Sequence, residues 1–124
     1  MVSILRLHLQ YRLWISEMNE DINVLRIFDD YLAELKAQIV NEAINQRLSN
    51  YKDEFIQLRK ELDELRHEMY LIKMKLAAIA KNNTASVEEI KNEINHNDCK
   101  ERYKTFRKNF SKTKKEFKKF DVEG

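Results

Sequence analysis

The chain has very few of the residues that interrupt regular structure. Proline is absent from the 124 residues, the single glycine is the last residue, and Cys99 is the only cysteine. Without interior proline or glycine the chain lacks the usual residues of tight turns and phosphate-binding loops, which excludes a Gly-rich nucleotide-binding loop. One cysteine cannot form a disulfide within the chain, so a secreted disulfide scaffold is excluded and a reducing compartment is expected.

Long apolar runs are also missing. The first fourteen residues, MVSILRLHLQYRLW, are interrupted by Arg6, His8, Gln10 and Arg12, which is too often for the apolar part of a signal peptide. The next candidate, residues 69–80, contains two lysines and is shorter than the roughly 20 residues that a membrane-spanning helix needs. We therefore expect a cytoplasmic protein without a transmembrane helix.

What the chain does have is apolar residues at heptad spacing. In the middle of the sequence they recur in alternating steps of four and three, the pattern of heptad positions a and d on a helix. These residues are Ile44, Leu48, Tyr51, Phe55, Leu58, Leu62, Leu65, Met69, Ile72, Leu76 and Ile79.

The N-terminal third has a similar heptad pattern in a different frame. Ile4, Tyr11 and Met18 begin its a positions, and Asp21 is the only acidic residue on its a and d positions. The two frames disagree by two residues, which coiled coils do not absorb smoothly, so we expect a break between residues 36 and 44 rather than one continuous rod. Asn41 is the expected cap of the second helix.

A third helical segment follows a clearer boundary. Asn82 and Asn83 suit a helix C-cap, and Ser86 with Glu89 has the spacing of a capping box. Apolar positions then continue as Val87, Ile90, Ile94, Tyr103, Phe106, Phe110, Phe117 and Phe120. The sequence thus predicts one all-α domain over residues 1–124, an elongated up-down-up antiparallel three-helix coiled-coil bundle with helices at about 4–37, 41–81 and 86–120.

The frame of the third segment changes within the sequence HNDC, residues 96–99. Either the helix is interrupted there, with Asp98 starting a new N-terminal turn, or it continues around a locally polar core layer. We favour the continuous helix.

Two Glu-x-x-His pairs, Glu64 with His67 and Glu93 with His96, have the spacing used by di-metal helical bundles. The heptad frame places Glu64 and His67 at positions c and f, which face solvent, so we interpret the first pair as exposed. His96 and Cys99 instead fall on the core side of the third segment. Since the bundle would also bring His8 near this level, a zinc or other soft-metal site formed by His8, His96 and Cys99 is one alternative.

The third segment is strongly basic. Residues 100–119 contain ten Lys or Arg against two Glu, a net charge of +8. This composition suits a nucleic acid or an anionic surface, which is another alternative. We expect instead that acidic residues of the first two helices neutralise it within the molecule. These are Glu17, Glu20, Asp21, Asp29, Asp30, Asp53, Glu54, Glu61, Asp63 and Glu64.

The segments LWISEM (13–18) and DELRHEM (63–69), together with His96, resemble a group of small uncharacterised bacterial helical proteins. The resemblance implies an all-helical fold and brings no activity with it.

No arrangement of nucleophile, base and acid is apparent, so we expect no enzyme, no catalytic residues and no cofactor. The sequence favours a scaffold or protein-interaction module that binds a protein partner or self-associates, with a homodimer as one form. The apolar residues left outside the core for this purpose are Leu9, Leu13, Ile27, Ile56 and Tyr70.

Overall fold

The computed structural model describes residues 2–81 and 86–120, and in that part of the chain every regular element is a helix. The four helices are α1 (Val2–Gln38), α2 (Glu42–Lys81), α3 (Val87–Glu93) and α4 (His96–Lys119). The all-α prediction is confirmed. α2, with 40 residues, is about 60 Å long at 1.5 Å per residue. No helix among the described residues has a stretch long and apolar enough to cross a membrane.

Burial follows the predicted heptad positions. In α2 the a positions Leu48, Phe55, Leu62, Met69 and Leu76 are all buried. The buried side chains of all four helical segments, with Ile90 of α3 among them, form one hydrophobic cluster. One continuous apolar stripe on each long helix therefore builds the core.

The turn between α1 and α2 lies within the predicted window, residues 36–44. The Asn41 side chain accepts a hydrogen bond from the Ile44 amide at 3.1 Å, which caps α2 as expected. The Asn45 side chain donates to the Ile39 carbonyl at 3.0 Å and so closes the turn from its other side. Two asparagines supply here the hydrogen bonds of a turn that lacks glycine.

The prediction of a single third helix over residues 86–120 is wrong. Ser86 caps α3 by accepting a hydrogen bond from the Glu89 amide at 3.2 Å, as the capping box requires, but the helix ends at Glu93. Asn95 then adopts a left-handed conformation with φ 54° and ψ 45°, and α4 starts at His96. Asparagine tolerates this conformation better than other non-glycine residues. The predicted C-cap at Asn82 and Asn83 lies outside the described residues.

The polar contacts define how the helices run. Residues of α1 and α2 that meet, such as Asp29 with Lys52 and Asn19 with Arg66, have numbers adding up to between 81 and 85, so these helices are antiparallel. Contacts between α1 and α4 keep a constant offset of 85 or 86 residues, so these helices are parallel. α3 and α4 lie within residues 86–120, which the sequence predicted as one helix.

Candidate functional site

Six lysines of α4 share its solvent-facing side because they recur at intervals of four or three residues. All six are exposed, and they span about 29 Å along the helix axis. No exposed residue of α4, all of which the structure describes, is apolar. We call this side the lysine face, and it consists of Lys100, Lys104, Lys108, Lys112, Lys115 and Lys119.

The opposite side of α4 fixes the direction in which the lysines point. Tyr103, Phe106, Phe110 and Phe117 are all buried there. Phe117 meets the rings of Phe28, Tyr51 and Phe55 with centroid distances between 4.9 and 5.1 Å. Since the aromatics are buried, they cannot stack on the bases of a nucleic acid, and the lysine face can act only through charge and hydrogen bonds.

Intramolecular neutralisation of the basic segment is limited mainly to its arginines. Arg107 forms an ion pair with the buried Asp21 of α1, and Arg102 pairs with Glu68 of α2 and with Asp98. None of the six lysines forms an ion pair within 4 Å of a described residue. The expected neutralisation therefore holds for these two arginines, whereas the six lysines lie on the side of α4 opposite its buried aromatics and form no such ion pair.

A buried polar cluster lies at the start of α4. His96 is 7% exposed, and its Nδ1 lies 2.9 Å from the phenol oxygen of Tyr11 in α1. The indole of Trp14 stacks on the imidazole at a centroid distance of 6.0 Å. Burial strongly raises the pKa of Tyr11, so the phenol stays protonated and can donate to Nδ1. This bond ties the first residue of α4, directly after the break at Asn95, to α1.

Cys99 lies beside this cluster and is fully buried. Burial raises the pKa of its thiol, and the carboxylate of Glu68 adds to the effect. A thiol in these surroundings stays protonated and behaves as a small apolar residue.

The structure does not assemble the metal-site alternative. His8 is only partly buried, and burial together with the charges of Arg12 and Lys73 lowers the pKa of its imidazole. These neighbours are cations and not metal ligands. Tyr11 and not His8 is the partner of His96. Among the described residues, which include all three candidates, no three His, Cys, Asp or Glu side chains come together as a metal site requires. Glu64 and His67 are exposed, as the heptad frame predicts.

The buried imidazole makes a pH prediction. Burial, with the charges of Lys91 and Lys100, lowers the pKa of His96 from 6.5, so below about pH 6.5 the unfolded chain binds the proton more readily than the folded one. We expect the stability contributed by the neutral imidazole to be fully present above that pH. On acidification below it, the free energy of unfolding should fall by up to about 1.4 kcal/mol per pH unit.

The measurement is urea unfolding at pH 7.5 and pH 5.5 for the natural chain and for His96→Gln, which keeps a hydrogen-bonding side chain but does not titrate. The variant should lose part of the pH dependence. His8→Gln, on the half-exposed imidazole, serves as the control and should lose less. An unchanged pH dependence in His96→Gln would contradict the prediction.

An open groove of about 410 Å³ runs between α2 and α4. Leu65 and Phe106 form part of its wall, and the carboxylates of Glu61, Glu64 and Glu101 lie around it. Arg102, Thr105 and Asn109 also line it, and its lining contains no histidine or cysteine.

Comparison with known proteins gives no match to any protein-family model, curated protein or solved structure.

Proposed function

We propose that the protein is a non-enzymatic cytoplasmic scaffold, an up-down-up coiled-coil bundle, that binds nucleic acid through the lysine face of α4. The observation that carries the proposal is the lysine face: six exposed lysines in a row of about 29 Å, without an ion-pair partner among the described residues.

The chemistry of the face favours phosphate as its ligand. Lysine is a compact cation that neutralises phosphates one by one. Thr105 and Asn109 are exposed beside the lysine face, at its border with the groove between α2 and α4, and they add neutral hydrogen-bond donors of the kind that contact phosphate oxygens. A membrane surface is disfavoured because interfacial helices bury an apolar face in the lipid, and the exposed side of α4 has none.

The same geometry argues against recognition of a specific base sequence in the nucleic acid. Arg102 and Arg107, the side chains best suited to bidentate base contacts, are held by Glu68 and Asp21. The aromatic side chains of α4 are buried, so single strands find no stacking platform. Binding through this face should therefore be electrostatic, independent of base sequence and stronger for duplex than for single strands.

Fluorescence anisotropy with a labelled 20-base-pair duplex between 50 and 200 mM salt tests the proposal. If four to six phosphates are neutralised, the logarithm of the binding constant should fall with the logarithm of salt concentration with a slope of about −4 to −5. The triple variant Lys104→Gln, Lys108→Gln, Lys112→Gln should reduce the size of that slope by about 3 and weaken binding equally for all sequences.

The matched control removes the same charge elsewhere. Arg26, Lys36 and Lys60 are exposed on α1 and α2, and the triple change of these residues to glutamine should leave the slope unchanged. Equal weakening by both triple variants would assign the binding to net charge and overturn the proposal. Tighter binding of poly-aspartate than of the duplex would assign the face to an acidic protein instead.

A further inference from the structure

Large apolar side chains remain exposed on α1 and α2, including the five that the sequence left outside the core. Their exposed fractions lie between 47% and 63%, which is high for residues of this size. Those on α1 are Leu5, Leu9, Leu13, Ile27 and Tyr31, and those on α2 are Ile56, Tyr70, Leu71 and Met74.

The positions of several of these residues repeat symmetrically. Leu9 and Ile27 lie nine residues on either side of Met18, and Leu5 and Tyr31 lie thirteen residues on either side of it. With this pattern the face can pack antiparallel on the same face of a second copy, because apolar residues then meet apolar residues.

One pair on the second helix is symmetric about the same level of the bundle, whereas the positions symmetric to Tyr70 and Leu71 hold Lys60 and Arg59. Ile56 and Met74 lie nine residues on either side of Leu65. The numbers of Met18 and Leu65 add up to 83, between the values of 81 and 85 seen for α1 and α2 residues in contact. One two-fold axis, perpendicular to the helices, therefore passes through the centre of both patterns.

We infer that the protein forms a two-fold symmetric homodimer through the outer face of α1 and α2, with α1 packed antiparallel on α1 of the second copy and α2 on α2. Leu9 then meets Ile27 of the other copy, and Met74 meets Ile56. Each contact occurs twice, as an isologous interface requires.

The charges along α1 fit this arrangement. Residues 2–16 contain Arg6 and Arg12 and no acid. The exposed charged residues of positions 20–34, which lie opposite them in the antiparallel pair, are one base, Arg26, and three acids, Glu20, Asp30 and Glu34. The basic half of each α1 therefore faces the acidic half of the other, and a parallel pairing would set like charges together.

The face is also large enough. Two helices of about 55 Å lying side by side at about 9 Å present roughly 1,000 Å², and a stable interface buries about 800 Å² on each partner. An anionic membrane would meet the acidic half of α1 as well as its basic half, so charge favours a second copy over lipid. The lysine face takes no part in the contact, because α1 and α2 meet α4 through other residues, among them Asp21 and Glu68.

Light scattering and sedimentation equilibrium test the dimer. The natural chain should have twice the mass of one chain at micromolar concentration, and Leu9→Gln with Met74→Gln should raise the dissociation constant at least a hundredfold. Both side chains are about half exposed, so the variant should keep its helix content by circular dichroism. The control is Leu13→Gln with Leu71→Gln, whose symmetric positions hold the polar residues Asn23 and Arg59, and it should change the dissociation constant much less.

Charge reversal separates a second copy from any other occupant. Arg6→Glu with Arg12→Glu makes the basic half of α1 acidic, and Asp30→Lys with Glu34→Lys makes the acidic half basic. Each variant alone should dissociate, whereas an equimolar mixture of the two should restore dimers, since both symmetric contacts again join opposite charges.

Cysteine pairs test the register. In Leu9→Cys with Ile27→Cys the two thiols of one chain are about 27 Å apart on one helix, too far for a disulfide within the chain. Oxidation with copper phenanthroline should give a closed covalent dimer. Leu9→Cys alone should give very little. A natural chain that is monomeric at all concentrations, a mixture that fails to restore dimers, or a ladder of higher oligomers would overturn the inference.

Discussion

Replacing Phe117 with alanine is expected to lower the free energy of unfolding by about 4 kcal/mol, in the middle of the range for truncating a buried phenylalanine. Phe117 is 4% exposed. Its ring is at the centre of an aromatic cluster, with Phe28, Tyr31, Tyr51 and Phe55 around it. Alanine would remove these contacts and leave a cavity between α1, α2 and α4.

The measurement is urea unfolding followed by circular dichroism, with the midpoint and the slope both recorded. Phe120→Ala is the matched control because Phe120 contacts only the edge of the cluster, at Tyr51, and is half-buried. Its loss should be less than half as large. A loss below about 1.5 kcal/mol for Phe117→Ala would show that the cluster does not hold α4 on the other helices.

The same cluster supports the lysine face. Phe117 lies between Lys115 and Lys119, and burying its ring is what turns these two lysines outward. The less disruptive variant Phe117→Leu keeps an apolar side chain there, so it should retain the salt dependence of duplex binding while it loses part of the stability. Comparing the two variants of Phe117 thus separates the effect of packing on stability from its effect on duplex binding.

The sequence predicted the burial of the long helices well because one physical rule decides it. A side chain at position a or d either finds an apolar core or destabilises the bundle. Leu62, Leu65 and Met69 are buried, and Glu64 and His67 between them are exposed. Spacing alone carried that information, without any knowledge of the neighbouring helices.

The helix break was harder to predict because asparagine is compatible with both outcomes. Asn95 can remain in a helix or adopt the left-handed conformation, and the difference depends on which side of α4 the core accepts. The change of frame between Ile94 and Cys99 was the available signal. The left-handed residue restores the heptad positions of α4, so Cys99 and Tyr103 reach the core.

The basic composition of the candidate site could be predicted from the sequence, but the direction in which its lysines point could not. The excess of basic residues in 100–119 was evident, but whether a lysine meets an acid depends on the angle at which it leaves the helix. The aromatic spacing determined that angle, and it places Lys104 and Lys108 on the side of α4 opposite Phe106 and Phe110. The contact between Tyr11 and His96 was missed because the levels of α1 and α4 were estimated one turn away from their true relation.

The second large effect is expected at the ion pair between Asp21 and Arg107. Asp21, the only acid on an a or d position of α1, is 5% exposed, and Arg107 of α4 meets its carboxylate. The side chain of Arg107 is 35% exposed and reaches water. The buried carboxylate of Asp21 therefore needs its ion-pair partner more than the partly exposed guanidinium of Arg107 does.

Arg107→Ala should lower the free energy of unfolding by about 3 kcal/mol, because it leaves a charged carboxylate in the core without its main partner. Asp21→Asn should cost only about 1 kcal/mol, since the remaining guanidinium can turn to solvent. Urea unfolding of the two single variants and of Asp21→Leu with Arg107→Leu completes the comparison. The double variant should recover most of the loss, because an apolar pair of similar volume has no desolvation cost.

The pH dependence of Arg107→Ala distinguishes this explanation from a simple loss of packing. Burial already raises the pKa of Asp21, and the guanidinium of Arg107 opposes that rise, so the variant should raise the pKa further. A carboxyl whose pKa is raised in the folded chain destabilises the fold at high pH, where it is charged. The fold regains that stability as the pH falls through the raised pKa towards the ordinary value near 4. Arg107→Ala should therefore lose less stability at pH 5 than at pH 7, relative to the natural chain. An equal loss at both values would mean that Arg107 stabilises the fold through its packing on the Phe110 ring and not through its charge on Asp21.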